Sequence, residues 1–178
     1  MASNSGVIKN AEIRMLSESD IDAFWQLRLR MLKEEPESFA ADYEESTRTS
    51  MADVSKQLRG ADGSFILGAF APNLVGMIGF YRQSGIKMCH KGVVWGMYVA
   101  PENRGNSLGK ALLLAAISRA STMPELKQLM LTVVTTRQTA RNLYLSLGFR
   151  SYGVEPSALK LGNRYCDEEL MMLKLNRE

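Results

Sequence analysis

Apolar residues recur along this chain with two different periods, and the switches between them mark its elements. From 11 to 16 apolar and polar residues alternate, which predicts a short strand, and Ser17-Glu18-Ser19-Asp20 then supplies helix N-cap chemistry. Ile21, Phe24, Trp25, Leu27, Leu29, Met31 and Leu32 cover a broad helical face, so a helix is predicted over Ile21–Glu34, with Pro36 stopping or restarting it. A weaker helix is expected over 51–58. Residues 65–70 and 75–81 read as a strand hairpin around Ala71-Pro72-Asn73, since proline and asparagine suit a turn. A β-like run covers 93–99, with Gly96 in its middle as a bulge candidate, because glycine weakens a regular ladder and admits a close backbone approach. The helical period returns over 109–123, an apolar run at 129–134 reads as a buried strand, and 138–147 is helical again. Strands near 150–154 and 168–175 close the pattern.

Strands at both ends with helices interleaved, and neither a linker-like stretch nor a repeat, predict one mixed α/β (α+β) domain. At 178 residues and 46% hydrophobic, the chain can build a full core. Residues 1–8 are expected to be a loose lead-in and 9–178 the domain. A net charge of +3, without a dense Lys/Arg stretch interleaved with aromatics, argues against a nucleic-acid partner. Cys89 and Cys166 stand far apart without zinc or redox spacing, so no metal is expected and reduced thiols in a cytoplasmic protein are. A basic-then-apolar leader and an apolar run of membrane-spanning length are both missing from the pattern, so no membrane partner is expected.

The stretch Pro-Glu-Asn-Arg-Gly-Asn-Ser-Leu-Gly-Lys at 101–110 joins the strand at 93–99 to the next helical run. A strand-to-helix turn of this kind presents the unpartnered first amides of a helix to an anion, so a pyrophosphate can dock there. Arg104 and Lys110 add charge at its two ends. A Walker loop does not fit, because Gly105 and Gly109 are one residue too close and Ala111 follows Lys110. Neither does the dinucleotide fingerprint fit over Gly105-Asn106-Ser107-Leu108-Gly109. A second block, Ala140-Arg141-Asn142-Leu143-Tyr144-Leu145-Ser146-Leu147-Gly148-Phe149, places 137, 140, 141 and 144 at helical spacing, with Gly148 where a helix would stop in the left-handed conformation.

Together the two blocks resemble the GNAT N-acetyltransferase superfamily. Its acetyl-CoA loop reads Arg or Gln, two residues, Gly, one residue, Gly or Ala, and Arg104, Ser107 and Gly109 occupy those positions. Its other signature reads Ala-x-x-Leu-Tyr-x-x-x-Gly-Phe, as here from Ala140 to Phe149. Ser107 departs from the usual glycine, so the backbone there is either ordinary helical or strained. The block at 152–156, that at 163–168 and the helix around Leu27-Arg28-Leu29-Arg30 resemble bacterial members without a firmly assigned acceptor, which extends the likeness to most of the chain.

The resemblance implies a single-domain fold with a mixed, mostly antiparallel, splayed sheet of six to seven strands flanked by about four helices. The strands at 93–99 and 129–134 would part below the anion loop. It also implies acetyl transfer from acetyl-CoA to a primary amine, which attacks the thioester directly. Cofactor contacts would come from Met97, Tyr98, Val99, Arg104, Gly105, Asn106, Ser107, Leu108, Gly109, Lys110, Arg137, Ala140 and Arg141. A backbone N–H within 97–99 would meet the thioester oxygen, and the Tyr144 phenol would protonate the departing thiolate.

The likeliest strand positions for a carboxylate base hold Val93 and Thr132 instead, so water or a carboxylate from elsewhere is expected: Glu44, Glu45, Asp167, Glu168 or Glu169. Arg137 stands where many relatives carry an asparagine; its planar fork suits a CoA phosphate, and its place at a helix start equally suits plain solvent exposure. His90 is a base on pKa grounds but has no visible partner. The acidic run Glu34, Glu35, Glu37, Asp42, Glu44 and Glu45 reads as a solvated face or as a field for a cationic amine, and Met97, Met171 and Met172 as core filler or an adaptable acceptor wall. Two alternatives stay open, a CoA-binding sensor of the same fold and a protein N-terminus or lysine as acceptor, and a homodimer paired through sheet edges is expected.

Overall fold

The apolar periods resolve, in the computed structural model, into seven strands and five α-helices over the described residues, 11–61 and 63–175. The expected lead-in at 1–8 lies outside them. In chain order these are β1 (Glu12–Met15), α1 (Ile21–Glu34), α2 (Tyr43–Thr47), α3 (Met51–Arg59), β2 (Phe65–Phe70), β3 (Leu74–Arg82), β4 (Lys91–Val99), α4 (Leu108–Ser121), β5 (Gln128–Val134), α5 (Gln138–Ser146), β6 (Arg150–Leu161) and β7 (Arg164–Lys174). One sheet runs β1-β2-β3-β4-β5-β7-β6, antiparallel except where β4 meets β5. The short α2 is the helix that the hydrophobic pattern did not predict; Asp42 caps it by accepting from the Glu45 N–H at 2.9 Å.

Alternation along the strands sorts the core into two layers. Phe65, Leu67 and Ala69 of β2 join α4 and α5 on one face, whereas Ile66 joins α1 and α3 on the other. α1 contributes Phe24, Leu27, Met31 and Leu32, a 3.6-period stripe, and α4 contributes Leu112, Leu113, Ala116 and Ala120. Before α1, Asp20 accepts both the Ser17 N–H (2.8 Å) and a bidentate Arg14 guanidinium (2.8 Å each), which fixes the entry of the helix.

Two irregularities set up the cleft. Gly96 has φ +58, and Ile78 of β3 faces both Gly96 and Met97, so β4 carries the expected bulge. The extra residue reverses the alternation: Val94 faces the α4 layer before it, and Met97 and Val99 face that layer after it. The second is the parting of β4 from β5, which pair only at Lys91↔Gln128, Gly92↔Leu129 and Val93↔Met130. Beyond Val93 the β5 side of β4 has no strand partner, leaving N–H and C=O groups on that edge available.

The last two strands run much longer than their hydrophobic pattern predicts. β6 and β7 form one hairpin that turns at Gly162 and Asn163, with register shifts between Ser151 and Gly153 and between Glu155 and Leu159. Those bulges, together with the polar sequence of β6, erase a clean two-residue period.

Candidate active site

The splay opens a cleft of about 1100 Å³ between β4 and β5, roofed by the starts of α4 and α5. Its lining includes Met97, Tyr98, Val99, Arg104, Gly105, Ser107, Leu108, Gly109, Lys110, Arg137, Ala140 and Tyr144, so most of the expected site residues converge on one cavity. Asn106 and Arg141 are not part of that wall. Arg141 instead donates to Glu169 of β7 at 2.6 and 3.2 Å, and that guanidinium holds the buried Glu169 carboxyl below its ordinary range. A second cavity, about 720 Å³ beside α3, shares only Trp95 with the cleft and contains none of the expected residues.

At one end of the cleft stands the N-terminus of α4. Ser107 is its N-cap with φ +60 and ψ 12, so the serine occupies the left-handed region that a glycine would take without strain. Its side chain caps nothing, and no acidic residue lies in the first turn. The first amides of α4 are thus left to an outside anion, with Lys110 beside them. Gly109 lets the helix start sit tightly on its neighbours: a Cβ there would stand 3.1 Å from Met97 Cε and 3.6 Å from Leu143 Cδ2. This cradle suits a pyrophosphate.

The arginines around it are already engaged. Arg104 donates from Nε to the Val99 carbonyl at 2.8 Å, reaches Glu35 through Nη2, and lies 5.5 Å from the Tyr98 ring. Arg137, the N-cap of α5, pairs with Glu37 at 3.7 Å, and Arg164 of β7 meets the same carboxylate at 2.7 Å. The acidic run is therefore neither a bare field nor a plain solvated face: Glu34 accepts from the Tyr98 hydroxyl at 2.7 Å, and Glu35 and Glu37 bind cleft arginines.

Tyr144 lies deeper. Gly148, φ +91, ends α5 in a Schellman arrangement in which the Phe149 N–H donates to the Tyr144 carbonyl at 3.1 Å. That turn folds the Phe149 ring against Tyr144, with centroids 6.0 Å apart, which is the physical content of the Leu-Tyr-x-x-x-Gly-Phe spacing. Burial pushes the phenol up to about 12. It stays protonated through neutral pH, but it is a weaker acid than its ordinary value of about 10 would make it.

Among the five carboxylates named from sequence, Glu168 alone lines the cleft. Strand alternation turns Asp167 and Glu169 the other way: Asp167 accepts from the Ser157 N–H at 2.8 Å, and Glu169 holds Arg141. Glu44 and Glu45 sit on α2, outside the cleft wall. The Thr132 hydroxyl donates to Glu168 at 3.2 Å. Burial raises the Glu168 carboxyl above its ordinary range, and Glu155, its cross-strand neighbour, pushes the same way against the Thr132 bond. His90 lies at the far end of β5, where its carbonyl accepts from Lys127 and Gln128, and it does not line the cleft. Phe39, Ala40 and Trp95 do line it and carried no motif signal, and Tyr152, from the block at 152–156, lines it although the resemblance gives it no site role; all reach it through tertiary folding.

Solved structures of the same shape are numerous. The acetyltransferase of the GNAT family from Streptococcus pneumoniae superimposes with a TM-score of 0.82 at 22% identity, covering 93% of this chain and 99% of that one. A ribosomal-protein-alanine N-acetyltransferase from Brucella melitensis gives 0.79 at 22% identity over 92% and 99%. A GNAT superfamily phosphinothricin acetyltransferase from Sinorhizobium meliloti, solved in complex with AcCoA, gives 0.77 at 19% identity over 93% and 88%. No curated protein sequence matches the chain. Residues 25–149, which run from α1 to the end of the Tyr144 signature, match the Acetyltransferase (GNAT) family, and the chain belongs to that family.

Proposed function

We propose that the protein transfers an acetyl group from acetyl-CoA to a primary amine. One observation carries this reading: beyond Val93 and Met130 the central strands part, and the opening has an uncapped helix N-terminus at one end and Tyr144 and Glu168 on its walls. The first amides of α4, Lys110 and Arg104 hold the diphosphate, with Gly105 to Gly109 shaping the turn; Asn106 shapes that turn without lining the cleft. The free edge of β4 at 97–99 supplies an N–H for the thioester oxygen. Ala140 walls the pantetheine arm, Arg137 exchanges Glu37 for a phosphate, and Arg141 acts from behind by anchoring α5 to β7.

Glu168 takes the proton from the incoming ammonium, a task helped by a pKa raised toward neutrality. The amine nitrogen then forms the bond to the carbonyl carbon as the C–S bond breaks and Tyr144 gives its proton to sulfur; the second nitrogen proton leaves to water as the amide forms, and water returns a proton to the phenolate. Cytoplasmic residence in a bacterium and pairing of two copies belong to the same reading; both cysteines are free thiols, and β6 is an edge strand with Tyr152 and Val154 exposed. Calorimetric titration with acetyl-CoA, followed by mass spectrometry of a broad amine panel, tests it. Tight binding with acetylated products supports transfer. Binding without product points to a coenzyme sensor, and no binding ends the proposal.

A further inference from the structure

Ten ion pairs are formed among the described residues, and they account for the arginines at 14, 30, 59, 82, 104, 137, 141 and 164. Arg48, Arg119 and Arg150 have no carboxylate but are exposed to water. Arg28 differs from both groups. It projects from the middle of α1, is half-buried, and has neither an ion pair nor a hydrogen bond to any described residue; its Nε is fully shielded and unsatisfied, as is that of Arg137, which however keeps Glu37. Its contact is with an aromatic face, the guanidinium carbon lying 5.0 Å from the Trp95 ring centre.

A guanidinium does not escape desolvation by losing its proton, so one that is half-buried with its Nε shielded is stabilised by a nearby anion. Buried polar groups left unsatisfied in a native structure are rare and point to something outside the chain that completes them. The place where Arg28 sits indicates what that is. A Cβ on Gly96 would stand 3.5 Å from Arg28 Nη1, and both Gly96 and Trp95 line the cleft. Arg28 is not itself part of the cleft wall, but a side chain at 96 would enter the space that Arg28 Nη1 and Met77 Cε border, so the glycine of the bulge keeps the guanidinium's approach to the wall open.

We infer that the acceptor is a small amine bearing an acidic oxyanion, a carboxylate or phosphonate, which pairs with Arg28 across the Gly96 bulge. The inference rests on the acetyl-transfer reading and supplies its substrate class. An amine of this kind is dipolar: its ammonium goes to Glu168 on β7 and its anion to Arg28 on α1, so the two side chains read opposite ends of one molecule. A neutral alkylamine would leave the guanidinium uncompensated, and a basic peptide would add like charge to it.

The test is steady-state kinetics at saturating acetyl-CoA on matched pairs: α-amino acids against their amides, and aminoalkylphosphonates against alkylamines. The wild type is expected to favour the anionic member by at least about tenfold in kcat/KM, mainly through KM. Arg28→Met, which keeps the apolar stem, should bring the ratio near one with acetyl-CoA affinity unchanged. Arg28→Lys should restore part of it. Calorimetry of the anionic amines on CoA-loaded protein, wild type against Arg28→Met, gives a readout independent of turnover. No preference in the wild type, a preference that survives in Arg28→Met, or acetylation confined to peptides overturns the inference while leaving acetyl transfer standing. If no amine is turned over, the transfer reading fails, and binding of anionic amines that is absent or equal in the two proteins overturns this one as well.

Discussion

The two ends of the cleft are built in different ways. The coenzyme end comes mostly from one continuous stretch, 97–110, completed by Arg137 and Ala140 at the start of α5, and works largely through backbone: a free strand edge and an uncapped helix start. The acceptor end is assembled from α1, the β4 bulge and β7, and works through side chains, Arg28 and Glu168. Charges are treated oppositely as well. At the coenzyme end Arg104 and Arg137 already have the carboxylates Glu35 and Glu37, whereas Arg28 is half-buried without one and Glu168 sits opposite Glu155. Backbone amides recognise a phosphate whatever side chains surround them, so that end can be specified locally. The acceptor end keeps its charged groups in a state that only a matching ligand relieves.

Removing the groups at the junction of the two ends should produce the largest effects. Tyr144→Phe deletes the proton donor while keeping the ring packed on Phe149, and turnover should fall by about 10²-fold or more with acetyl-CoA affinity close to wild type. Equal turnover, measured with CoA-release assays on both proteins, would take Tyr144 out of the chemistry. Glu168→Gln should cost somewhat less, about 10²-fold, because water can stand in for a base more readily than for a fixed donor. Its pH profile sharpens the point. Glu168 must be ionised to accept a proton, and its pKa is raised by burial, so wild-type kcat/KM should climb with pH through that raised value. The acid limb should vanish in Glu168→Gln; a limb that stays would assign it to another group.

What could be read from the sequence follows the same division. The strand-to-helix loop at 101–110 and the Tyr144 signature are short-range patterns, and the helices carrying them fell close to where the periodicity put them: α4 at Leu108–Ser121 against 109–123, and α5 at Gln138–Ser146 against 138–147. The acceptor end left no such trace. Glu168 was one of five carboxylates because only the pairing of β7 with β5 and β6 shows which way its side chain turns, and the bulges of β6 break the alternation that would have shown it. Arg28 enters only as part of the helix block at 27–30, with no role of its own, since the lack of a partner is a property of the folded neighbourhood. Even Arg141, on the right helix at the right spacing, turned to Glu169 because β7, far along the chain, passes behind α5.

A smaller effect should come from the one strained position in the backbone cradle. Ser107 holds φ +60, a conformation that costs a non-glycine residue roughly 1 kcal/mol. Ser107→Gly removes the Cβ penalty but adds freedom to the unfolded chain, which offsets part of it. The net gain should be below about 1 kcal/mol, a rise in Tm of up to about 2–4 °C by calorimetry. A fall in Tm would show that the serine side chain contributes something its missing cap bond does not reveal.

The smallest effect is the most direct test of the contrast in charge. Glu35 and a pyrophosphate compete for the same guanidinium, so Arg104 must give up one partner to take the other. The pair is solvent-accessible, with the Arg104 side chain 46% exposed, which limits its worth to under about 1 kcal/mol. Glu35→Gln should therefore tighten CoA by a few-fold, about 2- to 5-fold, with a weaker dependence of the gain at high salt as screening erodes the original pair. The same change should leave amine selectivity untouched, because Glu35 pairs with Arg104 and makes no ion pair with Arg28. If Glu35→Gln weakens CoA instead, the carboxylate is holding Arg104 in its binding position, and the two ends differ less than their ion pairs suggest: both would then depend on side chains set in place by distant parts of the fold.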